Sequence, residues 1–384
     1  MTVQTATKTI PVSRPFFGVE EELAVAEVLR SGWVAQGPRV AAFEKTFAQR
    51  VGAQQAIAVS SCATALHLVM STFGLKPGDE VVCPSLSFIA TANSIVHAGG
   101  TPVFADVFPD TYNIDPESIE RAITPRTRAI MAVHQVGQPA AMNEILAVAA
   151  RHKLPVVEDA APAAGAEYFG RAIGAPHGLI ACFSFDGRKV LSSGEGGVIT
   201  TNDADLAARL RRLRTQAMTV SDAARHDSKS IIFETYEEIA HNFRMTDMQA
   251  AVAAIQVSRL DSFLKQRRHL AARYNESLQA MGWFLPPVEP KGYFQNYQSY
   301  MPRLTPDAPI RREALMQKLL DRGISTRRGV MAIHRETPYR NPRWDKELVN
   351  TNLVTDSAII LPLYQSMTDQ EQDYVIENIR ECGK

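Results

Sequence analysis

Short apolar runs alternate with helical periodicities between residues 50 and 200 of the chain. AIAVSS precedes TALHLVMSTFG, EVVCPS precedes ATANSIVHAG, TPVFADV precedes PESIERAI, RAIMAVH precedes MNEILAVAARH, and LPVVEDA closes the series. Runs this short and this apolar read as strands buried on both faces, and the three- and four-residue spacing between them reads as amphipathic helices that cover the sheet. The expected class is α/β, with a mostly parallel central sheet flanked by helices and a ligand site at the carboxyl ends of the strands. From about Thr246 the run DMQAAVAAIQVSRLDSFLKQRRHLAARYNESLQAM predicts one long helix linking two domains. After Pro286-Pro287, YQSYMPRL and RREALMQKLLDRGIST predict a smaller α+β unit. The expected division gives residues 1–250 to the large domain and 251–384 to the linking helix and the small C-terminal domain.

Two of the strand ends carry candidate chemistry. CFSFDGRKVLSSGEGGVITTND (182–203) sets Lys189 between an apolar run and a glycine cluster, and VVEDAAPAAGAEYFG ends another apolar run on Glu158-Asp159. Alone, each reads as an ordinary solvent-facing charge. A lysine and a carboxylate at the ends of neighbouring strands meet the needs of pyridoxal 5'-phosphate (PLP). The lysine forms a Schiff base, and the carboxylate keeps the pyridine nitrogen protonated. The cofactor phosphate needs donors, and in AVSSCATALHLVM a strand runs through small polar residues into a helix whose N-terminus would offer the N–H groups of Ala63 and Thr64 and the Thr64 hydroxyl. The same residues also read as a plain N-cap by Ser60 or Ser61.

Asp159-Ala160-Ala161, Ser184-Phe185 followed by Lys189, and Gly194-Glu195-Gly196-Gly197 resemble the signature of the DegT/DnrJ/StrS family of PLP-dependent nucleotide-sugar aminotransferases. The resemblance continues in the family's order through GWVAQGPRV (32–40), SSCATALHL (60–68), PSLSFIATANSIVHAGGTPVFADV (84–107), HQVGQPAAM (134–142) and NFRMTDMQAAVAAIQVSRLD (242–261). It implies a PLP-dependent transferase of fold type I, with Lys189 and Asp159 as the catalytic pair. It places Ala63, Thr64 and Ser184 at the phosphate and Phe88 against the pyridine ring. Asn242 would reach the partner subunit's phosphate in a homodimer with shared active sites, and Arg327, His334 and Tyr339, from TRRGVMAIHRETPYR, would face the sugar substrate. Read without the resemblance, Phe88 fits a core position, Asn242 a helix cap, and the arginine-rich loop either a solvated surface or a diphosphate site.

The implied reaction moves an amino group from an amino acid, L-glutamate by family habit, to a nucleotide-linked keto-sugar in aminosugar biosynthesis. Three positions depart from the family pattern. Pro162 stands where many relatives carry a Gln or His that bonds the PLP phenolic oxygen, which makes His134 a candidate replacement donor. Asp186-Gly187 replaces the usual His-Pro, and Ala63 stands where Thr is common. A sugar dehydratase on the same fold would have the lysine replaced, usually by histidine, and a non-catalytic regulatory protein would tolerate loss of Lys189 or Asp159; both residues are present.

Composition narrows the partners. Lys plus Arg and Asp plus Glu are each 41 in 384 residues, so no net charge argues for nucleic acid or an anionic membrane. Cys62, Cys83, Cys182 and Cys382 are widely spaced without a CxxC pair, which suggests neither a metal site nor a disulfide framework and fits a reducing cytoplasm. MTVQTATKTIPVSRPFF lacks the basic and apolar regions of a signal peptide, and no apolar run reaches membrane-spanning length, so a cytoplasmic protein is expected.

Overall fold

The structure, a computed structural model, describes residues 9–220 and 229–384. Helices α1 (Val19–Ser31) and α2 (Pro38–Val51) lead into strand β1 (Gln55–Val59). Strands then alternate with helices as the sequence pattern predicts: α3 (Cys62–Thr72), β2 (Glu80–Pro84), α4 (Ala90–His97), β3 (Thr101–Ala105), α5 (Pro116–Ala122), β4 (Thr127–Val133), α6 (Met142–His152) and β5 (Val156–Asp159). Two short strands, β6 (Glu167–Tyr168) and β7 (Arg171–Ala172), lie outside the main sheet, which is completed by β8 (Ile180–Ser184) and β9 (Gly197–Thr201).

The sheet has seven strands in the order β1-β9-β8-β5-β4-β2-β3. The pairs from β8 through β3 are parallel, whereas β9 runs antiparallel to both β1 and β8. Because β9 is reversed, its first residue, Gly197, lies opposite Val59 and Ser184, at the edge where the parallel strands end. The glycine cluster is thereby brought to that edge.

Strand alternation sorts the side chains into two cores. Ile57, Val81, Met131, Val157 and Cys182 pack with residues of α3 and α4 and with α7 (Ala204–Leu213). Ala58, Val82, Ala132, Val156 and Phe183 pack on the other face with α2 and α6 and with α8 (Asp247–Ser258). By the same alternation Asp159 points to the α3/α4 side and Glu158 to the opposite one.

The run expected as one long helix is two, α8 and α9 (Leu260–Met281), with Arg259 between them at φ −92° and ψ −3°. Local competition for carbonyls explains the break. The Ser258 hydroxyl donates to Ile255 O at 2.7 Å, while the Arg259 N–H is shared between Ile255 O (3.3 Å) and Gln256 O (3.2 Å). The Arg259 guanidinium is held to Glu21 at 2.8 Å and to Glu20 at 2.8 Å, which fixes the N-terminal segment at the kink. The rest of the chain forms α10 (Arg312–Asp321), α11 (Pro342–Glu347), α12 (Val349–Ser357) and α13 (Asp369–Cys382). A third core joins α9, α10 and α13 to Ile10, while Ile333, Trp344 and Leu348 pack into the core beneath α3 and α4.

Candidate active site

Asp159 ends β5 on the α3/α4 side and is 4% exposed. The Thr91 hydroxyl, in the first turn of α4, donates to Asp159 Oδ2 at 2.9 Å, and the Ala161 N–H donates to Oδ1 at 3.2 Å. Thr91 spends its one hydroxyl hydrogen on the carboxylate, so Ser87, 2.8 Å away, donates in turn to Thr91 Oγ1. Burial pushes the Asp159 carboxyl up from its ordinary range, and the Thr91 and Ala161 bonds and the charge of Lys189 oppose it.

Lys189 lies in the loop between β8 and β9. That loop is closed at its base by Phe185 N–H to Gly196 O (2.9 Å) and Ser193 N–H to Phe185 O (3.0 Å). Within it, the Lys189 N–H donates to Asp186 O at 2.9 Å, and Asp186 Oδ1 accepts from the Arg188 N–H at 3.0 Å. The Asp-Gly pair thus builds a side-chain-braced turn ahead of the lysine. The Lys189 side chain is half-buried, and its amine has no hydrogen-bond or ion-pair partner among the described residues. Burial lowers its pKa, against the opposing influence of the Cys62, Asp159 and Asp186 side chains.

At the start of α3 the N-cap reading is realised. Ser61 Oγ accepts the Thr64 N–H at 3.1 Å, and Thr64 Oγ1 accepts the Ser61 N–H at 3.0 Å and donates to Ser61 O at 2.8 Å. Thr64 is therefore committed within the cap, and the N–H groups that the cap leaves unengaged at the helix tip belong to Cys62 and Ala63. Gly197 runs against this tip: a Cβ there would lie 2.5 Å from the Ser61 carbonyl group, so the close approach needs glycine. Ser184, the last residue of β8, is buried, and its hydroxyl accepts the Asp186 N–H at 3.3 Å.

Phe88 is 63% exposed at the entrance to α4, so it is not a core residue. Beside it, the Ser87 N–H donates to Met331 O (3.2 Å) and the Ile333 N–H to Ser85 O (2.8 Å), bringing the C-terminal segment to the same rim. Asn242 is exposed in an extended stretch that lies along the end of β1, where the Ser60 N–H donates to Phe243 O at 2.9 Å and Arg244 pairs with Val59.

The residues expected at the sugar each have contacts within the chain. His334 is 1% exposed, with Nδ1 2.7 Å from Ser85 Oγ and Nε2 3.6 Å from Asp345, and burial lowers its pKa. The half-buried Tyr339 donates its hydroxyl to Asn93 Oδ1 at 2.6 Å and packs edge-on to Phe104. Arg327 is exposed and pairs with Ile360 in a two-residue strand.

His134 is not the replacement for the donor missing at Pro162. Its Nδ1 accepts the Ala140 N–H at 3.0 Å and its Nε2 bonds Glu158 at 3.1 Å, so both ring nitrogens are occupied on the face opposite Asp159. Two residues not singled out from the sequence support the site. Thr91 was legible in principle, four residues after Ser87 at the start of a predicted helix. Asn296 gave no local signal: its Nδ2 donates at 2.8 Å to both Pro162 O and Ala164 O and holds the turn after Asp159 from more than 130 residues away.

A seven-stranded, mostly parallel sheet flanked by helices, with Asp159, Lys189 and the α3 tip at one edge, is the architecture of the fold type I transferases. The chain belongs to the DegT/DnrJ/EryC1/StrS aminotransferase family, whose pattern matches residues 16–380. It is 39% identical over 386 residues to the spore coat polysaccharide biosynthesis protein SpsC of Bacillus subtilis (strain 168), covering 100% of this chain and 99% of that one. Among solved structures, the aminotransferase TlmJ from Streptoalloteichus hindustanus aligns with a TM-score of 0.89 at 32% identity, over 97% of this chain and 98% of TlmJ. DesV of S. venezuelae, in complex with a ketimine intermediate, aligns with a TM-score of 0.88 at 33% identity, over 98% of this chain and 99% of DesV. The protein is a sugar aminotransferase, and family membership implies PLP. Among the described residues, no helix is long and apolar enough to cross a membrane.

Proposed function

We propose that the protein moves the amino group of L-glutamate to a keto-sugar carried on a nucleotide, as a cytoplasmic homodimer with shared active sites, using PLP held at the carboxyl edge of the sheet. One observation carries the cofactor assignment: β5 ends on the buried Asp159, and the loop that leaves its paired neighbour β8 at the same edge carries Lys189. When bound, PLP supplies an aldehyde that receives the amino group and a ring that accepts electrons.

The residues present fit that group. Lys189 would hold it covalently and would serve as the base for the proton on the donor's Cα; burial favours the neutral amine that a base requires. Asp159 would pair with the pyridine nitrogen. Burial makes its bare charge costly, so a protonated ring nitrogen is a suitable counter-ion, and Thr91 and the Ala161 N–H fix which oxygen is presented. The Cys62 and Ala63 N–H groups and Ser184 would hold the phosphate, and exposed Phe88 would cover a face of the ring. DesV, in complex with a ketimine intermediate, supports the same chemistry here. The exposed Asn242 is free to serve a neighbouring subunit. A nucleotide diphosphate suits the exposed Arg327 and Arg328, with Tyr339 further along the same loop. His334, enclosed against Ser85, is proposed to act on the substrate only by shaping the rim.

Addition of PLP, borohydride reduction and peptide mapping should find the cofactor on Lys189. Lys189→Ala should abolish turnover of glutamate with nucleotide keto-sugars while leaving the fold intact, and retained steady-state transamination would overturn the assignment. A panel of nucleotide keto-sugars tested with glutamate and glutamine identifies the substrates.

A further inference from the structure

Arg267, in α9, is 2% exposed and has no carboxylate partner among the described residues. Its Nε donates to Tyr297 O (2.9 Å), Nη1 to Gln365 Oε1 (2.9 Å), and Nη2 to Gln298 O (2.7 Å) and Leu363 O (3.2 Å). A guanidinium buried among neutral acceptors is costly, and burial brings its pKa down to about 9. Packing alone does not account for such a group, so its partners are informative. Gln365, with Oε1 fixed by Arg267, must turn its Nε2 outward, and that nitrogen donates to Val190 O at 2.7 Å. Gln298, whose carbonyl is fixed by Arg267, donates its own Nε2 to Arg188 O at 3.2 Å. The carbonyls on either side of Lys189 are thus gripped by two side-chain amides: the buried cation bonds the amide oxygen of Gln365 directly and holds Gln298 by its main-chain carbonyl.

We propose that Arg267 is a positioning residue for Lys189, acting through Gln365 and Gln298. The inference rests on the reading of Lys189 as the cofactor lysine. A lysine side chain has enough free torsions that only a fixed backbone keeps its amine in reacting geometry, and misplacement by an ångström costs on the order of a hundredfold in rate. Tying both flanking carbonyls to a helix of the C-terminal part removes that freedom and couples the lysine loop to the packing of α9.

Gln365→Glu separates positioning from stability, because the carboxylate still accepts from Arg267 but has no hydrogen to give Val190 O. Gln298→Leu removes the other grip, and Arg267→Lys keeps the charge without the fork. Full-length wild type and variants are compared by amide hydrogen exchange over residues 186–192, by urea unfolding, and by the pH dependence of the rate at which added PLP is trapped on Lys189 with borohydride. In Gln365→Glu and Gln298→Leu, exchange in this segment should rise about three- to tenfold, the size of one lost hydrogen bond. The pH dependence of trapping should shift, while the unfolding midpoint stays near that of wild type. Arg267→Lys, where it folds, should do both at once and add little to Gln365→Glu. Wild-type exchange over 186–192 in both glutamine variants overturns the proposal, whatever happens to stability. Trapping of PLP on another lysine in the wild type would overturn the Lys189 reading instead, and the exchange result, which needs no cofactor, would still report on the grip.

Discussion

Thr91 Oγ1 lies 2.9 Å from Asp159 Oδ2, and this bond ties the first turn of α4 to the end of β5 across the buried edge of the sheet. It is one of only two hydrogen bonds recorded to that carboxylate among the described residues, the other being the 3.2 Å bond from Ala161 N–H. Burial already pushes the Asp159 pKa up, and Thr91 opposes the shift.

Thr91→Val should therefore raise the Asp159 pKa further. Catalysis needs the carboxylate ionised, so the acid limb of the pH profile of kcat/KM should move to higher pH. The rate on the plateau should fall about tenfold or more, the effect of one hydrogen bond to a charged group. Thr91→Ser, which keeps the hydroxyl, should stay near wild type. An unmoved acid limb in the valine variant would show that Thr91 does not support the charge of Asp159.

Strands β1 to β5 and β8 and the helices between them were legible because apolar runs and helical periodicity alternate cleanly through residues 50–200. The reversal of β9 was not, since GVITT carries no mark of strand direction. Arg259 breaks the expected long helix without glycine or proline: its break depends on the Ser258 hydroxyl and on Glu20 and Glu21, more than 230 residues away in sequence. Lys189 and Asp159 stood out because loop glycines and strand ends leave a local pattern. Asn296, Gln298, Gln365 and Arg267 act through contacts between distant segments, which no local pattern records. The enclosure of His334 by Ser85 was hidden for the same reason.

Glu158 predicts an acid limb in stability. Burial alone would raise its carboxyl. The hydrogen bonds from His134 and the His177 side, with the His177 and Gly178 N–H groups 2.7 and 2.8 Å from Oε1, outweigh burial and bring it down to about 2. A carboxyl lowered in the folded state stabilises the protein above its unfolded pKa and loses that contribution as pH falls through the folded value. Stability against urea should thus decline between about pH 4.5 and about pH 2. Glu158→Gln should be less stable at neutral pH and show a shallower decline over that window; an equally steep decline would assign the acid sensitivity to other groups.

The kink at Arg259 predicts a coupled pair. Glu21 is 3% exposed and accepts from Arg259 Nη1 at 2.8 Å, from Gln256 Nε2 at 2.8 Å and from the Gly18 N–H at 2.8 Å. Arg259→Ala leaves that carboxylate buried without its cation and should cost about 3 kcal/mol in urea unfolding. Adding Glu21→Gln removes the stranded charge and should recover part of the loss. A double variant whose loss is the simple sum of the two single losses would show that the pair is not coupled.

The shared-site proposal yields the last prediction. Asn242 is exposed, while its neighbours in sequence are fixed to the end of β1 by the Ser60 N–H bond to Phe243 O and by the pairing of Arg244 with Val59. Its backbone is therefore anchored close to the α3 tip, but nothing in its own subunit engages its side chain among the described residues. If that side chain serves the neighbouring subunit's phosphate, each site of the dimer takes Lys189 from one chain and Asn242 from the other. Mixing Lys189→Ala with Asn242→Ala subunits would then give heterodimers with one doubly defective site and one intact site. With complete exchange half of the dimers are mixed, and activity should return to about a quarter of wild type per site, in keeping with two-fold symmetry. The Asn242→Ala parent must itself be strongly impaired, and exchange must be verified with differently tagged chains. Under those conditions, a mixture no more active than its parents would show that Asn242 acts within its own subunit, and the shared-site proposal would fail.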